Sequence, residues 1–412
     1  MHATLTPVPR YRLDPTSEQE QVLLGHCAHA RYVWNLAVEQ HGFWSRHLRG
    51  RAPGYTEQSR QLTAARAEFA WLRAGSQTVQ QQALRDFAQA MGNFFAGTHK
   101  RPTWRKQGVH EGFRQVGVKP HQVERLSRKW GAVLVPKCGW VRFRLSRPVP
   151  EGVKSYRVTR DRVGRWHVAF AYLPSPVPGP GDGSVVGVDR GVAVSAALST
   201  GELLKVPGLT PGETRRLELL ARKSGRARRG SARRARLKAA LARLKARERD
   251  RRKNWVEQTS TRLAREFEVI GVEDLRIGGM TRSAKGTLQH PGRNVAQKAG
   301  LNRGILASGW GLLVERLEHK APGRVHRIDP AYTSQRCSAC GTTDPQARES
   351  QARFRCRSCG FAGNADVNAA RNIAHETGLG LVCTAAGPAV AARGRSGLPG
   401  RTNREPQPLL LS

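Results

Sequence analysis

The sequence predicts an α/β protein with a helical N-terminal lobe, strands on both sides of it, and a C-terminal sheet domain that contains a metal-binding knot. Three observations predict this fold class. Apolar residues recur at helical spacing from about residue 16 to 98 and alternate every second residue from about 116 to 175. After a Pro/Gly-rich linker, short apolar runs end in acidic residues. Two CxxC pairs lie near the C-terminus.

The N-terminal half is predicted to contain a strand, a helical region and further strands. Residues 1–15 contain a short strand, and the pattern that starts at Thr16 is typical of a capped helix. We predict three or four helices within residues 16–115 and several strands within residues 116–175. The Pro/Gly-rich segment 174–184 is predicted to be the main domain boundary.

The C-terminal half is predicted to alternate between strands and helices. An apolar strand at residues 185–189 opens a short meander, and a second apolar strand follows at residues 269–275. Between these strands we predict a helical hairpin over residues 213–253, and after them a helix over residues 301–319. The basic tail, residues 378–412, is rich in Gly, Pro and Arg and is expected to be disordered.

The chain carries a large excess of positive charge. It has 70 Lys and Arg residues against 31 Asp and Glu, a formal net charge of +39. Such a charge opposes folding unless a polyanion offsets it, so nucleic acid is the expected partner and a membrane surface is the alternative. No apolar run reaches eighteen residues, and the N-terminus lacks an apolar signal-peptide core. We therefore expect a soluble, cytoplasmic protein with no membrane partner.

Two basic segments are the predicted contacts with nucleic acid. The hairpin of residues 213–253 has 18 Lys and Arg but only 4 Asp and Glu, an imbalance larger than a solvated helix face requires. The loop of residues 99–106 is interrupted by Pro and contains one Trp, which suits phosphate contact and stacking on a base. The candidate residues in this loop are Lys100, Arg101, Trp104, Arg105 and Lys106.

Two CxxC pairs separated by fifteen residues predict a zinc site with four thiolate ligands. The four cysteines are Cys337, Cys340, Cys356 and Cys359. Gly341 and Gly360 each follow one pair and allow the backbone to turn back at low steric cost. The alternatives are two disulfides or four unrelated buried cysteines. A zinc with four protein ligands is structural, because no coordination position is left for a substrate.

Three acidic residues end elements that could share one sheet, namely Asp189, Glu273 and Asp366. In-line hydrolysis of a phosphodiester uses two divalent cations about 4 Å apart, and these cations bind carboxylate oxygens. An acid at the end of an apolar strand is in a costly place for a charge, which favours a functional role. Taken singly, a strand-end Asp is more often a turn or cap residue. We assign Asp274 and Asp329 to such structural roles.

Five motifs of the C-terminal half are together typical of one protein family. They are Gly187-Val-Asp-Arg-Gly191, Gly271-Val-Glu-Asp-Leu275, the segment 300–311, the segment 332–341 and Asn364-Ala-Asp-Val-Asn-Ala-Ala370. With these motifs the chain resembles the TnpB family over nearly its whole length. Members of that family are transposon-encoded, RNA-guided DNA endonucleases related to the type V CRISPR effectors and were formerly called OrfB-type transposases.

The resemblance implies a domain order. Residues 184–375 would form a RuvC-like nuclease domain of RNase H fold, with a zinc ribbon inserted at residues 332–362. The helical residues 16–115 would be a recognition domain, and residues 1–15 and 116–175 would together form a wedge-like β-barrel.

The resemblance also implies an RNA-guided DNA endonuclease, which is the leading functional hypothesis. A guide RNA from the transposon end would pair with double-stranded target DNA next to a short flanking motif. Asp189, Glu273 and Asp366 would be the catalytic acids on two Mg²⁺ ions, and the four cysteines would hold one structural Zn²⁺. We expect a monomer that acts at the nucleoid.

Gln80 and Gln81, near the start of a predicted helix, are candidate readers of the flanking motif, because glutamine can bond adenine bidentately. Helix capping and solvation explain the same residues.

Two alternative functions use the same features. A transposase could perform strand transfer with the same three acids, and a regulator could bind DNA through the ribbon and the basic helices. The place of the ribbon between the second and third acids favours the nuclease family. The presence of all three acids argues against a protein that only binds.

Overall fold

The structure is a computed structural model that describes residues 10–44, 52–172 and 174–385. The tail that the sequence analysis expects to be disordered begins at residue 378, but the last helix continues to Ala385. Residues 386–412 of the predicted tail lie outside the described part of the chain.

The chain divides into two compact units. The first consists of Met1–Val177 and Val206–Thr259, and the second of Pro178–Lys205 and Ser260–Ser412. The boundary between them falls within the predicted linker. The basic helical hairpin, which the predicted nuclease domain would include, groups instead with the first unit. An ion pair of 2.8 Å between Arg165 and Asp250 is one contact that holds the hairpin there.

Four helices lie between β1 and β2 of the first unit among the described residues, which agrees with the prediction of three or four helices for this region. They are α1 Ser17–Phe43, α2 Tyr55–Glu68, α3 Ala70–Ala74 and α4 Gln77–Phe95. The capping pattern at Thr16 is also confirmed. The Thr16 Oγ1 accepts from the Gln19 N–H at 3.2 Å, and the Gln19 Oε1 accepts from the Thr16 N–H at 3.1 Å.

A seven-stranded antiparallel sheet completes the N-terminal part of the first unit, as counted over the described residues. The strands are β1 Arg10–Asp14, β2 Gly112–Val116, β3 Val123–Arg125, β4 Trp130–Val135, β5 Gly139–Arg144, β6 Ser155–Arg160 and β7 Trp166–Phe170. Their order in the sheet is β2-β6-β7-β1-β5-β4-β3. β1 therefore lies in the middle of the sheet, and the four helices are an insertion between β1 and the remaining strands.

The sheet folds around an aromatic core. The Tyr11 ring lies 5.3 Å from the ring of Phe143 and 5.4 Å from that of Phe170, measured between centroids. The Tyr156 hydroxyl on β6 donates to the Leu134 carbonyl on β4 at 3.0 Å, although three strands separate β6 from β4 in the sheet order. The two halves of the sheet thus face each other across one core, as in a small barrel.

The basic hairpin consists of α5 Pro211–Arg226 and α6 Ala232–Glu266. Glu213, in the first turn of α5, accepts from both Arg247 and Arg251 of α6 at 2.6 Å. One carboxylate therefore fixes two helices that otherwise carry charges of the same sign.

The second unit contains a five-stranded sheet, as far as the chain is described, in the order β10-β9-β8-β11-β12. Its strands are β8 Val185–Asp189, β9 Ala196–Leu198, β10 Leu203–Leu204, β11 Val269–Glu273 and β12 Val325–Ile328. β8, β11 and β12 are parallel, whereas β9 and β10 are antiparallel to their neighbours. This places the predicted acids of β8 and β11 at the same edge of one sheet.

Four helices and a small hairpin accompany this sheet within the described residues. They are α7 Ile277–Met280, α8 Val295–Ser308, α9 Trp310–Lys320, the hairpin strands β13 Arg353–Arg355 and β14 Ala362–Asn364, and α10 Ala365–Ala385. The single helix predicted over residues 301–319 is broken at Gly309, whose φ of +72° favours glycine. No helix in the described part of the chain is long and apolar enough to cross a membrane.

Two glycines let α10 lie directly on the parallel strands. Gly187 and Gly271 are paired in the register of β8 and β11. A Cβ on Gly187 would lie 1.9 Å from the Ala370 carbonyl oxygen, and one on Gly271 would lie 2.1 Å from Thr377 Oγ1. Because side chains two residues apart share a face of a strand, α10 covers the face that also carries Asp189 and Glu273.

We expect the variant Gly187→Ala to destabilise the second unit by about 1–3 kcal/mol, the usual cost of overpacking a closely packed contact. The obstructing atoms belong to the backbone of α10, so a side-chain rotation cannot relieve the clash. Urea denaturation followed by tryptophan fluorescence measures the change.

The matched control is Gly378→Ala, because a Cβ at that position on the same helix meets no atom within 4 Å. It should leave stability unchanged or raise it slightly, since alanine favours a helix over glycine by up to about 1 kcal/mol. An unchanged unfolding midpoint for Gly187→Ala would contradict the packing described above.

Candidate metal centres

The three predicted acids are positioned by two strands and one helix. Val188 and Val272 are a register pair of the parallel strands, so the next residues, Asp189 and Glu273, are neighbours at the strand ends. Asp366 is the second residue of α10. The Asn364 side chain caps this helix by accepting from the Asp366 N–H at 3.0 Å. The first turn of α10 therefore carries the third acid toward the strand ends.

The electrostatics of Asp189 show that these carboxyl groups interact. Burial, together with the nearby charges of Glu273 and Asp366, raises the pKa of Asp189 to about 7. Burial also raises the pKa of Glu273. The site therefore accumulates negative charge that a bound cation would offset.

Among the described residues, the four predicted cysteines form a cluster that could hold one metal ion, with one ligand atom from each within 4.8 Å of the others. The three carboxylates do not form such a cluster with three or more ligand groups.

Three further side chains contact the acids, and the sequence analysis did not single them out. The Thr333 hydroxyl donates to Glu273 Oε1 at 2.7 Å, and Arg348 Nη2 donates to Asp366 Oδ1 at 2.9 Å. The guanidinium of Arg190 donates to the Glu273 backbone carbonyl. Thr333 and Arg190 belong to the quoted motifs, but nothing in the sequence pattern indicated Arg348.

The four predicted cysteines lie together in the structure, close enough to hold one metal ion. The Cys337 and Cys359 sulfurs are 3.7 Å apart, and those of Cys340 and Cys356 are 3.6 Å apart. A tetrahedral ion with metal–sulfur distances of about 2.3 Å requires sulfurs about 3.8 Å apart. A disulfide requires about 2.05 Å, so the alternative of two disulfides does not fit.

The glycines after each pair have the predicted turn role. Gly341 and Gly360 have φ values of +77° and +76°. Their N–H groups donate back to the carbonyls of Cys337 and Cys356, at 2.9 and 3.1 Å. Each pair is thus closed into a tight turn by its own backbone.

Hydrogen bonds connect the knot to α10. Asn368 Oδ1 accepts from the Ser338 N–H at 2.9 Å, and the Asn368 Nδ2 donates to the Arg336 carbonyl at 2.7 Å. One turn later, the Asn372 Nδ2 donates to the carbonyls of Thr333 and Arg336. Both asparagines are buried. Two side chains of the acid-bearing helix are therefore attached to the segment that leads into the knot.

The basic loop of residues 99–106 combines anchors and exposed residues. Arg105 stacks on the Trp34 ring, with its guanidinium carbon 3.6 Å from the ring centroid. Burial lowers the pKa of Arg105 to about 10. Arg101 Nη2 donates to the His41 carbonyl at 2.9 Å. Both arginines hold the loop to α1, whereas the side chains of Lys100, Trp104 and Lys106 are exposed.

The structure does not support Gln80 as a base reader. Gln80 is fully buried. Its Oε1 accepts from Arg66 Nη1 at 2.6 Å and its Nε2 donates to the Leu72 carbonyl at 2.9 Å. The amide edge that would pair with adenine is occupied by the protein, so Gln80 fixes the helical lobe. Gln81 is half-buried.

Three family models match the chain. A model described as "Helix-turn-helix domain" matches residues 8–41, the OrfB/IS605 model described as "Probable transposase" matches residues 157–284, and the "Cas12f1-like, TNB domain" model matches residues 310–373. Over the described residues 10–41, the structure forms one strand and one long helix. The third match covers both the knot and Asp366.

The chain is similar to two curated relatives over most of its length. It is 33% identical over 375 residues to a protein of Escherichia coli (strain K12) with the provisional name RNA-guided DNA endonuclease InsQ, covering 88% of this chain and 90% of that protein. It is 32% identical over 411 residues to a protein of Streptomyces pristinaespiralis, provisionally named RNA-guided DNA endonuclease, covering 97% and 95%.

The fold is similar to that of a Cas12f1 effector solved with its guide RNA and target DNA. The TM-score is 0.53 at 12% identity, and the match covers 87% of this chain and 83% of that one. The chain is therefore an α/β protein whose fold is similar to that of a Cas12f1 effector. Its similarity to the two curated relatives shows the family, and the chain belongs to the TnpB (OrfB/IS605) family.

The raised pKa of Asp189 predicts a pH dependence. Its folded-state pKa of about 7 lies above the ordinary 3.8. Between these values the folded state binds more protons than the unfolded chain, so the contribution of Asp189 to stability falls as the pH rises. Relative to Asp189→Asn, the free energy of unfolding of the native chain should fall by on the order of 1–3 kcal/mol between pH 5 and 8.

Urea denaturation in buffers free of magnesium and of chelators measures this difference. The control is Asp274→Asn, because Asp274 is exposed and paired with Arg327 at 3.0 Å. If the difference in the free energy of unfolding between the native chain and Asp189→Asn stays constant across this pH range, Asp189 is ionised throughout it.

Proposed function

We propose that this chain is a transposon-encoded, RNA-guided DNA endonuclease that hydrolyses target DNA next to a short flanking motif. One observation carries the proposal. Asp189 and Glu273 end neighbouring parallel strands, and the packing of α10 brings Asp366 to the same edge. Relatives that span most of this chain carry the name of that activity. The family membership supports the same assignment.

We propose that Asp189, Glu273 and Asp366 hold two Mg²⁺ ions. Carboxylate oxygens are the ligands that this hard cation prefers. The raised pKa of Asp189, caused by burial and the neighbouring acids, indicates a site where added positive charge is favourable. Bound there, the pair of ions would activate a water and stabilise the leaving oxygen of a phosphodiester.

Thr333 and Arg348 would orient the acids for this role. Thr333 fixes Oε1 of Glu273 and leaves Oε2 for a cation. Arg348 fixes Oδ1 of Asp366, and Oδ2 of that residue faces Gly191, just after Asp189. Residues that orient metal ligands in this way commonly change metal affinity or activity by about 10–100-fold when they are substituted.

We propose that the knot holds one Zn²⁺ and acts structurally. Four thiolates at these separations complete a tetrahedron, which leaves no position for a substrate. The bonds from Asn368 and Asn372 transmit the rigidity of the knot to the helix that carries Asp366. The zinc ion would thus help to hold Asp366 in position without itself contacting the three acids.

We propose a guide RNA from the transposon end and double-stranded DNA as the partners. The net charge of +39 requires a polyanion, and the exposed Lys100, Trp104 and Lys106 suit contacts with phosphates and bases. All acids and thiols of both centres come from one chain, which supports action as a monomer.

Substitution of the first acid tests the activity. The variant Asp189→Ala should lose Mg²⁺-dependent cleavage of a target plasmid while it still co-purifies with RNA, because it removes a cation ligand but no basic residue. The Thr333→Val variant should retain about 1–10% of the activity. The assay uses the full chain with its co-purified RNA and plasmids with randomised flanking sequence.

The control is Asp274→Asn, which should cleave as the native chain does. Equal cleavage by native chain and Asp189→Ala would remove Asp189 from the catalytic site. Joined DNA ends in place of hydrolysed products would favour the strand-transfer alternative over the endonuclease.

Removal of one thiol tests the knot. The native chain should contain about one zinc per molecule by elemental analysis, and Cys356→Ser should lose it and unfold at a lower temperature, because metal binding stabilises such small domains strongly. Cys138, half-buried in the first unit, is the matched control, and Cys138→Ser should keep its zinc. A zinc content unaffected by Cys356→Ser would exclude the knot as the binding site.

A further inference from the structure

A cavity of about 620 Å³ opens at one end of the seven-stranded sheet. Its walls are two segments, residues 119–128 and 145–153. Cavities of about 300–1,000 Å³ are typical of small-molecule sites. The cavity lies in the first unit and shares no residue with the acids or the knot.

The floor of the cavity is apolar. Half-buried aliphatic side chains continue outward from the aromatic core of the sheet, namely Val123, Leu145, Val149 and Val153. Prolines restrict the backbone of both walls at Pro120, Pro148 and Pro150. A flat apolar ligand group would replace water on this floor at little cost to the protein.

The walls are fixed before any ligand binds. The Tyr11 hydroxyl, from the core of the sheet, donates to the Pro148 carbonyl at 2.8 Å. The Leu145 N–H donates at 2.9 Å to the carbonyl of Lys129, the residue that follows the other wall. A preformed site avoids the entropic cost of ordering its walls on binding.

Charged groups of both signs line this apolar cavity. They are Lys119, Arg125, Arg128, Arg147, Glu124 and Glu151. None of these six residues forms an ion pair with another residue of the described chain. Some other carboxylates of the unit are paired with arginines, as in Arg31–Glu111 and Arg157–Asp86. Separate positive and negative groups around an apolar floor suit a ligand that has an anionic end and a hydrogen-bond donor end.

We propose that this cavity binds one guanine nucleotide that is turned out of the bound RNA. The aliphatic floor would pack against the base, a guanidinium of the rim would pair with its phosphate, and a rim carboxylate would accept from the base. Guanine presents two adjacent N–H donors, N1–H and the N2 amino group, to one carboxylate. Adenine and cytosine present a single amino group and uracil a single ring N–H. The inference rests on the proposed RNA partner and adds a site that recognises one base of it.

Binding of free mononucleotides measures the recognition separately from cleavage. The full chain, stripped of RNA by nuclease and high salt, is dialysed against labelled GMP, AMP, CMP and UMP. GMP should bind at least tenfold more tightly than UMP, and Glu151→Gln combined with Glu124→Gln should remove that preference. Equal affinity for all four nucleotides would overturn the proposal.

A variant that fills the cavity tests its location. Val149→Trp should weaken GMP binding at least tenfold. The matched control is Leu126→Trp, since Leu126 lies within one wall segment but is 49% exposed and does not line the cavity. A second pair compares Arg128→Ser, on the rim of the cavity, with Lys129→Ser, at the adjacent residue outside it. If the two variants of each pair bind GMP equally well, the nucleotide binds elsewhere.

Ultraviolet crosslinking of the full chain with its co-purified RNA tests the source of the nucleotide. Peptide mass spectrometry should find guanosine adducts within residues 119–128 or 145–153, and Val149→Trp should lose them. GMP binding without such adducts would overturn the RNA assignment in favour of a free nucleotide. An uncharged peptide bound in the cavity would overturn the proposal that the cavity binds a nucleotide. If the native chain binds GMP but shows no guided cleavage of target DNA, the proposed endonuclease function is rejected while the nucleotide site stands.

Discussion

The close packing of α10 on two glycines is the contact on which the acid centre depends. Gly187 and Gly271 occupy paired positions two residues before Asp189 and Glu273. Because neither has a side chain, the backbone of α10 lies directly on the sheet. Any larger residue would lift the helix and carry Asp366 away from the strand ends. The bonds of the knot to α10 fix the position of the helix along its axis, while the glycines fix its height above the sheet.

The main features of the second unit could be predicted because each has a local sequence signal. Apolar runs that end in Asp189 and Glu273 indicate parallel strands with functional ends. The two CxxC pairs indicate a tetrahedral knot, and the thiol separations agree with one. The predicted helix count of the N-terminal lobe and the cap at Thr16 are confirmed for the same reason, since capping and periodicity depend on neighbouring residues.

The features that were missed or misassigned depend on contacts between distant residues. The hairpin groups with the first unit through contacts such as Arg165–Asp250, 85 positions apart in the sequence, and no local pattern encodes such a pair. Gln80 was expected to face DNA, but in the structure Arg66 of a neighbouring helix binds its amide. Helical propensity does not predict which face of a helix such a distant residue will cover. Arg348 lies in a segment of the knot without regular structure, so its contact with Asp366 had no periodic signal.

The distribution of ion pairs bears on how so basic a chain could hold the proposed cation site. Many acids of the first unit are paired with guanidinium groups, as Glu213 is with Arg247 and Arg251. In the described chain, the carboxylates of Asp189 and Glu273 form no ion pair, and burial raises the pKa of both. Arg348 and Arg190 lie near enough to lower these two pKa values slightly, but neither forms an ion pair with the carboxylate of Asp189 or Glu273, so those oxygens stay available to a divalent ion. At the proposed Mg²⁺ site, the unfavourable electrostatics of the two unpaired acids would let a divalent cation compete with the 70 Lys and Arg residues of the same chain.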